Sequence, residues 1–390
     1  MQLAEPYILL KDKDVTRTRP IVPYYGHPMR KILNMASRGL SFLLLNIGAL
    51  TYNLQKTTDF SGVVKKVNEA LRKNPNLVVD VKQGDIKNMF SQLPQPTAVE
   101  ALDWAIQRFV QQNNTMWISL QRSCSERKGE LLGRRNRAGY ANMHVDTLRA
   151  ILLFDMANCF YLVGGEILKQ THGIPMGSPP SPPMSNLVCI YYEHQFLKSV
   201  MPGELSDREA IHSVIGGRFA DDKIDFVLYE DHPEAEGETN DLWQIISTIY
   251  HESMEMEETT LDTTKPFTFI GYDITLSPDR RHVTLSANNP NTDTIAEGWQ
   301  KKQRFPPYEA PSDDRHKYST VVTMLITTSR ATPTGEKFTK ACLLLLQELT
   351  NLGYPKGVLR DAMTHAAKKD NQRGKWSCVR KDQQIKALLN

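Results

Sequence analysis

Cysteine is scarce in this 390-residue chain. The five that occur (Cys124, Cys159, Cys189, Cys342 and Cys378) are scattered, odd in number and form no CxxC pair. This pattern disfavours a zinc framework or a disulfide scaffold and favours a reducing, intracellular compartment, with nucleus and organelle both open. Long apolar runs are also missing. The longest, Leu40 to Leu50, is too short to span a bilayer and contains Ser41 and Asn46, so no membrane partner is expected. The start, Met1-Gln2-Leu3-Ala4-Glu5-Pro6, lacks the pattern of a signal peptide. Excess charge is missing too: 47 Lys and Arg face 44 Asp and Glu, a net charge of +3. That balance neither requires nor excludes a polyanionic partner, so the placement of the charges carries the information. What is present, 40% hydrophobic and 23% charged residues, suits a globular protein of two or three lobes.

The patterns read as alternating strands and helices. Tyr7–Leu10 and Pro20–Pro23 are extended and flank a basic loop with Lys11, Lys13, Arg17 and Arg19. Apolar spacings of three and four predict helices over Met29–Leu50 and Gly62–Asn74. Leu77–Val81 reads as a strand running toward Asp85, and Thr97-Ala98-Val99-Glu100 as a capping box opening a helix to Gln111. Arg122–Arg137 is a glycine-interrupted basic loop; a helix over Asp146–Cys159 and a strand over Phe160–Val163 follow. Gly and Pro punctuate Gln170–Pro183, which forbids continuous helix or strand, before a helix over Met184–Val200. After an acidic loop, Glu230–Asp241, come a helix over Leu242–Met254 and a hairpin of Pro266–Leu276 with His282–Leu285. Residues 286–315 look like a lobe boundary, and Lys337–Leu352 is an amphipathic helix closed by Gly353. From Lys356 to Asn390 nine Lys and Arg face three Asp, read as a basic tail that grips nucleic acid or simply stays in solvent.

The stretch Gly217-Arg218-Phe219-Ala220-Asp221-Asp222 stands out between the apolar runs Ser213–Ile215 and Ile224–Leu228. It predicts strand, tight turn and return strand, with two adjacent carboxylates at the turn. Alone, such a dipeptide is more often a solvated turn. Adjacent like charges are unfavourable unless a cation offsets them, and a divalent metal is the obvious one.

Asp85, the Gly173–Pro183 loop and Asp221-Asp222, in this order and spacing, resemble the palm of a reverse transcriptase. Asp85-Ile86-Lys87-Asn88-Met89-Phe90 is similar to the first catalytic motif, Gly173–Ser178 with Ser181-Pro182 to the second, and Phe219–Asp222 to the third. Phe269-Ile270-Gly271 resembles the primer grip. Lys11, Lys13 with Arg19-Pro20-Ile21, the run Phe160–Gly177 and Leu352–Pro355 make the Penelope-like group the nearest within that superfamily.

The resemblance implies an α+β right-hand fold: fingers over 1–76, a palm over 77–285 with inserted fingers elements, and a thumb with basic tail over 286–390. It implies an RNA-directed DNA polymerase that extends a DNA or RNA primer on an RNA template with dNTPs. Asp85, Asp221 and Asp222 are then catalytic. With Ile86 they form the site for two Mg²⁺ ions about 3.5–4 Å apart, Mn²⁺ being a possible substitute. Lys11, Lys13, Arg19, Phe90, Met176 and Gly177 would bind the nucleotide, and the bulk of Phe90, the fifth residue after Asp85, would exclude a 2′-hydroxyl and disfavour ribonucleotides. The departures are Met176, where many of the superfamily have Gln, and Lys223, which follows the acid pair and could pair with Asp222 or point into solvent. No nuclease domain is recognisable and the N-terminal extension is minimal, so a polymerase core alone is expected. The alternative is a domesticated, inactive core that binds RNA in splicing or RNP assembly.

Overall fold

The structure, a computed structural model, describes residues 5–11, 14–87, 89–122, 129–136, 138–200, 213–232, 240, 243–259 and 261–390. The first third holds β1 (Tyr7–Lys11), β2 (Asp14–Ile21), α1 (Arg30–Leu45), α2 (Phe60–Lys73), β3 (Leu77–Ile86), α3 (Gln95–Asn113) and β4 (Trp117–Gln121). The middle holds β5 (Leu131–Leu132), β6 (Tyr140–His144), α4 (Val145–Ala157), β7 (Phe160–Val163), β8 (Glu166–Lys169), α5 (Ser181–Val200), β9 (Ser213–Phe219) and β10 (Asp222–Glu230). The last part holds β11 (Met256–Thr259), β12 (Phe267–Phe269), β13 (Tyr272–Leu276), β14 (Val283–Ala287), α6 (Asp314–Ala331), α7 (Gly335–Asn351), α8 (Lys356–Lys369), α9 (Arg373–Lys381) and α10 (Gln383–Leu389). The strand orders are β11–β3–β10–β9, β12–β13–β14 and β5–β4–β6, with the two-stranded pairs β1–β2 and β7–β8. Among the described residues no helix is long and apolar enough to cross a membrane.

Two compact units share the chain. The first comprises Met1–Asn53, Gly84–Ala210 and Glu236–Glu258, the second Leu54–Gln83, Ile211–Ala235 and Thr259–Asn390. In the first, α1 buries Leu33, Ala36, Leu40 and Leu43, and α3 buries Ala98, Ala101, Leu102, Ala105 and Phe109. Gly39 on α1 faces Met143, Leu148 and Leu120, where a Cβ would make ordinary contacts at 3.4–3.8 Å. In the second, α2 places Phe60, Val64, Val67 and Leu71 on the inner faces of β10 and the β12–β13–β14 sheet. Phe60 is the hub, its ring centroid 5.0 Å from Phe269, 5.6 Å from Tyr272 and 6.3 Å from Phe226.

Several expected elements differ. The basic loop after Leu10 is largely strand: Arg17 and Arg19 lie in β2, paired with β1. Helix α3 opens at Gln95, because Pro96 pre-sets its first turn, and Pro94 rather than Thr97 is the cap. The extended run Pro266–Leu276 is broken in two. Ile270 (φ 39°) and Gly271 (φ 87°) are both left-handed, so β12 and β13 form a two-residue hairpin with Phe269 opposite Tyr272. The hairpin joining Leu276 to Val283 is as expected.

The expected basic tail is three helices, α8 to α10. Leu359, Ala362, Ala366, Trp376, Val379, Ile385 and Leu389 recur on helical spacing and bury against α6 and α7, leaving every cation but the half-buried Lys375 exposed. Trp376 is 1% exposed, stacks edge-on against Phe338 at 4.9 Å and donates its indole N–H to Asp370 at 3.0 Å. Trp376→Ala should therefore cost about 3–5 kcal/mol of folding stability in denaturant unfolding. A change within the scatter of surface substitutions would show that these helices are not part of the core.

Candidate active site

In the second unit, β9 and β10 pair in the register Phe219–Asp222, Arg218–Lys223, Gly217–Ile224, Gly216–Asp225 and Ile215–Phe226. Only Ala220 and Asp221 lie between the strands. Ala220 has φ 57°, the positive angle that the first central residue of a II′ hairpin turn requires. The buried guanidinium of Arg218 donates to the Ala220 carbonyl oxygen at 2.9 Å and holds the turn from within. At the tip Asp221 is half-exposed and Asp222 exposed.

Strand alternation then sorts the side chains. Ile224, Phe226 and Leu228 share the face of Asp222 and enter the Phe60 core. Lys223 takes the opposite face with Asp225. Both are buried, and they form an ion pair. Lys223 therefore does not reach solvent, one of the two positions expected for it. Gly217 makes room for Leu54, whose side chain a Cβ would meet at 3.2 Å and whose N–H donates to Arg218 O at 2.8 Å.

Asp85 and Ile86 belong to the first unit, at the end of β3. Asp85 is partly exposed and carries an ion pair with Lys87 at 2.6 Å; Lys87 makes a second, also 2.6 Å, with Glu257 on β11. These hydrogen bonds, the one to Asp85 first, hold the Lys87 ammonium above its ordinary pKa. Ile86 is buried and offers a metal only its backbone carbonyl. Within neither unit do three His, Cys, Asp or Glu side chains among the described residues gather into a group that would hold a metal ion. The donor chemistry of the Asp221-Asp222 turn, hard carboxylate oxygens open to solvent, fits Mg²⁺. Asp85, in the first unit, has the same oxygen donors but is engaged by Lys87.

The structure brings the end of the first motif onto the second. The Ile174 N–H donates to Phe90 O at 2.8 Å, and a Cβ on Gly173 (φ 74°) would fall 2.6 Å from Ser91 O and 2.7 Å from Phe90 O. On its other side the loop meets the residue after β2: Val22 N–H donates to Met176 O at 2.8 Å, and Gly177 (φ 119°) lies so close that a Cβ would be 2.0 Å from Val22 O. Phe90 and Met176 are half-buried and Gly177 exposed at this junction. Lys13 lies outside the described residues; Lys11 and Arg19 lie in β1 and β2, their side chains outside the description. Of the basic loop 122–137, residues 123–128 and 137 are likewise outside it. Phe269, Ile270 and Gly271 make the β12–β13 turn, with Phe269 in the core.

Asp155 on α4 was not anticipated. Its buried carboxylate accepts from Ser178 Oγ at 2.5 Å, on the loop just beyond Gly177. Burial raises its pKa above the ordinary value, with hydrogen bonds from Ser178 and Tyr24 opposing. Its signal is spacing: Leu148, Leu152 and Asp155 fall on one helical face, so the acid points where the leucines point. Because the folded chain keeps this proton to higher pH than the unfolded chain, stability should fall as pH rises above the ordinary carboxylate value of 3.8, and level off beyond the raised one. Asp155→Asn keeps an acceptor for Ser178 and should abolish that decline in unfolding free energies measured across pH; parallel profiles for the two proteins would contradict it.

No family model matches this sequence, and no curated protein matches it. Solved structures do. The architecture is mixed α/β, with antiparallel open sheets and packed helices, and is broadly consistent with a right-hand polymerase-like fold. The chain superposes over its whole length on 62% of the telomerase chain of Candida albicans, in complex with a TWJ fragment of telomeric RNA, with a TM-score of 0.59 and 12% identity. On apo telomerase from Candida tropicalis it matches over 100% of this chain and 62% of that one, with a TM-score of 0.51 and 12% identity. The chain thus spans about three fifths of the telomerase chains it matches, and what is shared is the fold.

Proposed function

We propose that this chain is an RNA-directed DNA polymerase, a reverse transcriptase core that extends a DNA or RNA primer on an RNA template. The observation that carries the reading is the β9–β10 turn, which presents adjacent carboxylates at its tip while the strand behind them is pinned in the core. The fold shared with telomerase chains supports it, as does the meeting of Phe90 with the Gly173–Gly177 loop. In this reading 1–76 are fingers, 77–285 palm with inserted fingers elements, and 286–390 thumb. The Penelope-like assignment rests on the sequence motifs rather than on the fold.

Asp221 and Asp222, with Asp85 and the Ile86 carbonyl, would hold two Mg²⁺ ions, or Mn²⁺ in their place. When bound, these ions supply activation of the primer 3′-hydroxyl and stabilisation of the pyrophosphate leaving group. Lys87 would release Asp85 and keep Glu257 as its partner. Met176 and Gly177 would line the nucleotide site, Lys11, Lys13 and Arg19 would neutralise triphosphate, and the Phe269–Gly271 turn would steady the primer strand. Phe90, fixed through its carbonyl by Ile174, would lie against the sugar and leave no space for a 2′-hydroxyl.

Asp221→Asn should abolish extension of a primed RNA template with dNTPs while leaving the circular dichroism spectrum and unfolding midpoint unchanged; undiminished extension would refute the assignment. Phe90→Val should admit ribonucleotides, raising NTP relative to dNTP incorporation by roughly tenfold or more, the scale of a relieved steric contact. An unaltered ratio would remove Phe90 from the sugar site. One observation favours the second reading, a domesticated RNA-binding core: Asp85 is already neutralised by Lys87. Template binding without extension would select it.

A further inference from the structure

The second unit contains a cavity of about 790 Å³ between α2, β14 and the ends of α6 and α9. Its floor is apolar: Val64 and Leu71 from α2, Val283 and Leu285 from β14, Ala331 from α6. Its rim is cationic, with Lys65, Arg72, Arg281 and Arg330 all exposed and Glu69 as the one lining carboxylate. Some of this charge is engaged. Lys65 faces Glu69 at 3.8 Å, Arg330 faces Asp370 at 3.5 Å, and Lys375 donates to the carbonyls of Ser329 and Thr332 at the end of α6. Arg72 and Arg281 have no ion-pair partner among the described residues.

One wall is the edge of a sheet. The β13–β14 ladder is phased by Ser277 N–H to His282 O and Asn288 N–H to Gly271 O. Antiparallel alternation therefore turns the N–H and C=O of Val283, Leu285 and Ala287 outward. At Val283 the amide of Asn68 satisfies both groups, donating to its O and accepting from its N–H, each at 2.8 Å. The side chain stands in for one residue of a neighbouring strand. At Leu285 and Ala287 no backbone partner stands on that side among the described residues.

We propose that this cavity binds an extended acidic segment of a protein partner by strand addition. The segment pairs with the outward edge of Leu285 and Ala287, sets alternate apolar side chains on the floor, and directs its carboxylates to Arg72 and Arg281. A polynucleotide fits less well: the lining has no Phe, Tyr or Trp on which bases stack, and the floor is apolar.

The test uses the full chain and a fluorescein-labelled peptide of alternating Glu and Val, with a Glu–Ser peptide of equal charge and a labelled oligothymidylate for comparison. The Glu–Val peptide should bind at low salt, roughly tenfold or more tighter than Glu–Ser, and an Arg72→Glu, Arg281→Glu double variant should lose roughly tenfold or more of that affinity while keeping its circular dichroism spectrum. Amide exchange at Leu285 and Ala287 should slow when the peptide is added, a readout that needs no variant. Equal binding of the two peptides, undiminished binding by the variant, or unchanged exchange would overturn the proposal. So would a variant that loses only oligothymidylate, which would make the rim a nucleic-acid contact. None of these readouts depends on polymerase activity.

Discussion

The register of β10 is the constraint on which the rest turns. Ile224, Phe226 and Leu228 fill the core around Phe60, and a slip of one residue would bring Lys223 and Asp225 to that face instead. Moving a buried ion pair into an apolar core is far costlier than losing any exposed contact, so the register is strongly specified. With it come the length of the turn, the positive φ of Ala220 and the exposure of two carboxylates at the tip. The acids need no special machinery to be displayed. They are what is left outside when the strand behind them is buried.

The first unit uses a different device for the same end. A Gly/Pro loop cannot be held by ladder hydrogen bonds, so backbone contacts from both sides hold it: Phe90 and Ser91 against Gly173, Val22 against Met176 and Gly177. The glycines are required at these positions by approach distances that no Cβ could share. Asp155 fixes the continuation of the loop through Ser178. The elements that carry the first and second motifs are thus one packed assembly, which is what a nucleotide pocket built from them would need.

Much of this could be read from the chain alone, and the reasons for the failures are physical. The β9–β10 hairpin was legible because alternation and an adjacent acid pair coincide. The solvent position for Lys223 was the misreading within it: in a strand, residues two apart share a face, so burial of Asp225 carries Lys223 inside with it. The break at Ile270-Gly271 was hidden because a β-branched residue at positive φ runs against local preference and is imposed by the packing of Phe269 and Tyr272 on Phe60. The last three helices were masked by charge: nine cations stand among the apolar residues that recur at helical spacing. Asp155 was invisible because one carboxylate in an apolar helix has no local partner, and its own, Ser178, lies 23 residues on.

The central question is whether a chain with this fold and this turn makes DNA. The direct measurement is incubation of the unaltered protein with a primed RNA template, dNTPs and Mg²⁺ or Mn²⁺, followed by sizing of the primer. Products extended to the template end, dependent on the divalent ion, are expected of a polymerase. Tight template binding with a primer that stays its original length in both ions would contradict that assignment.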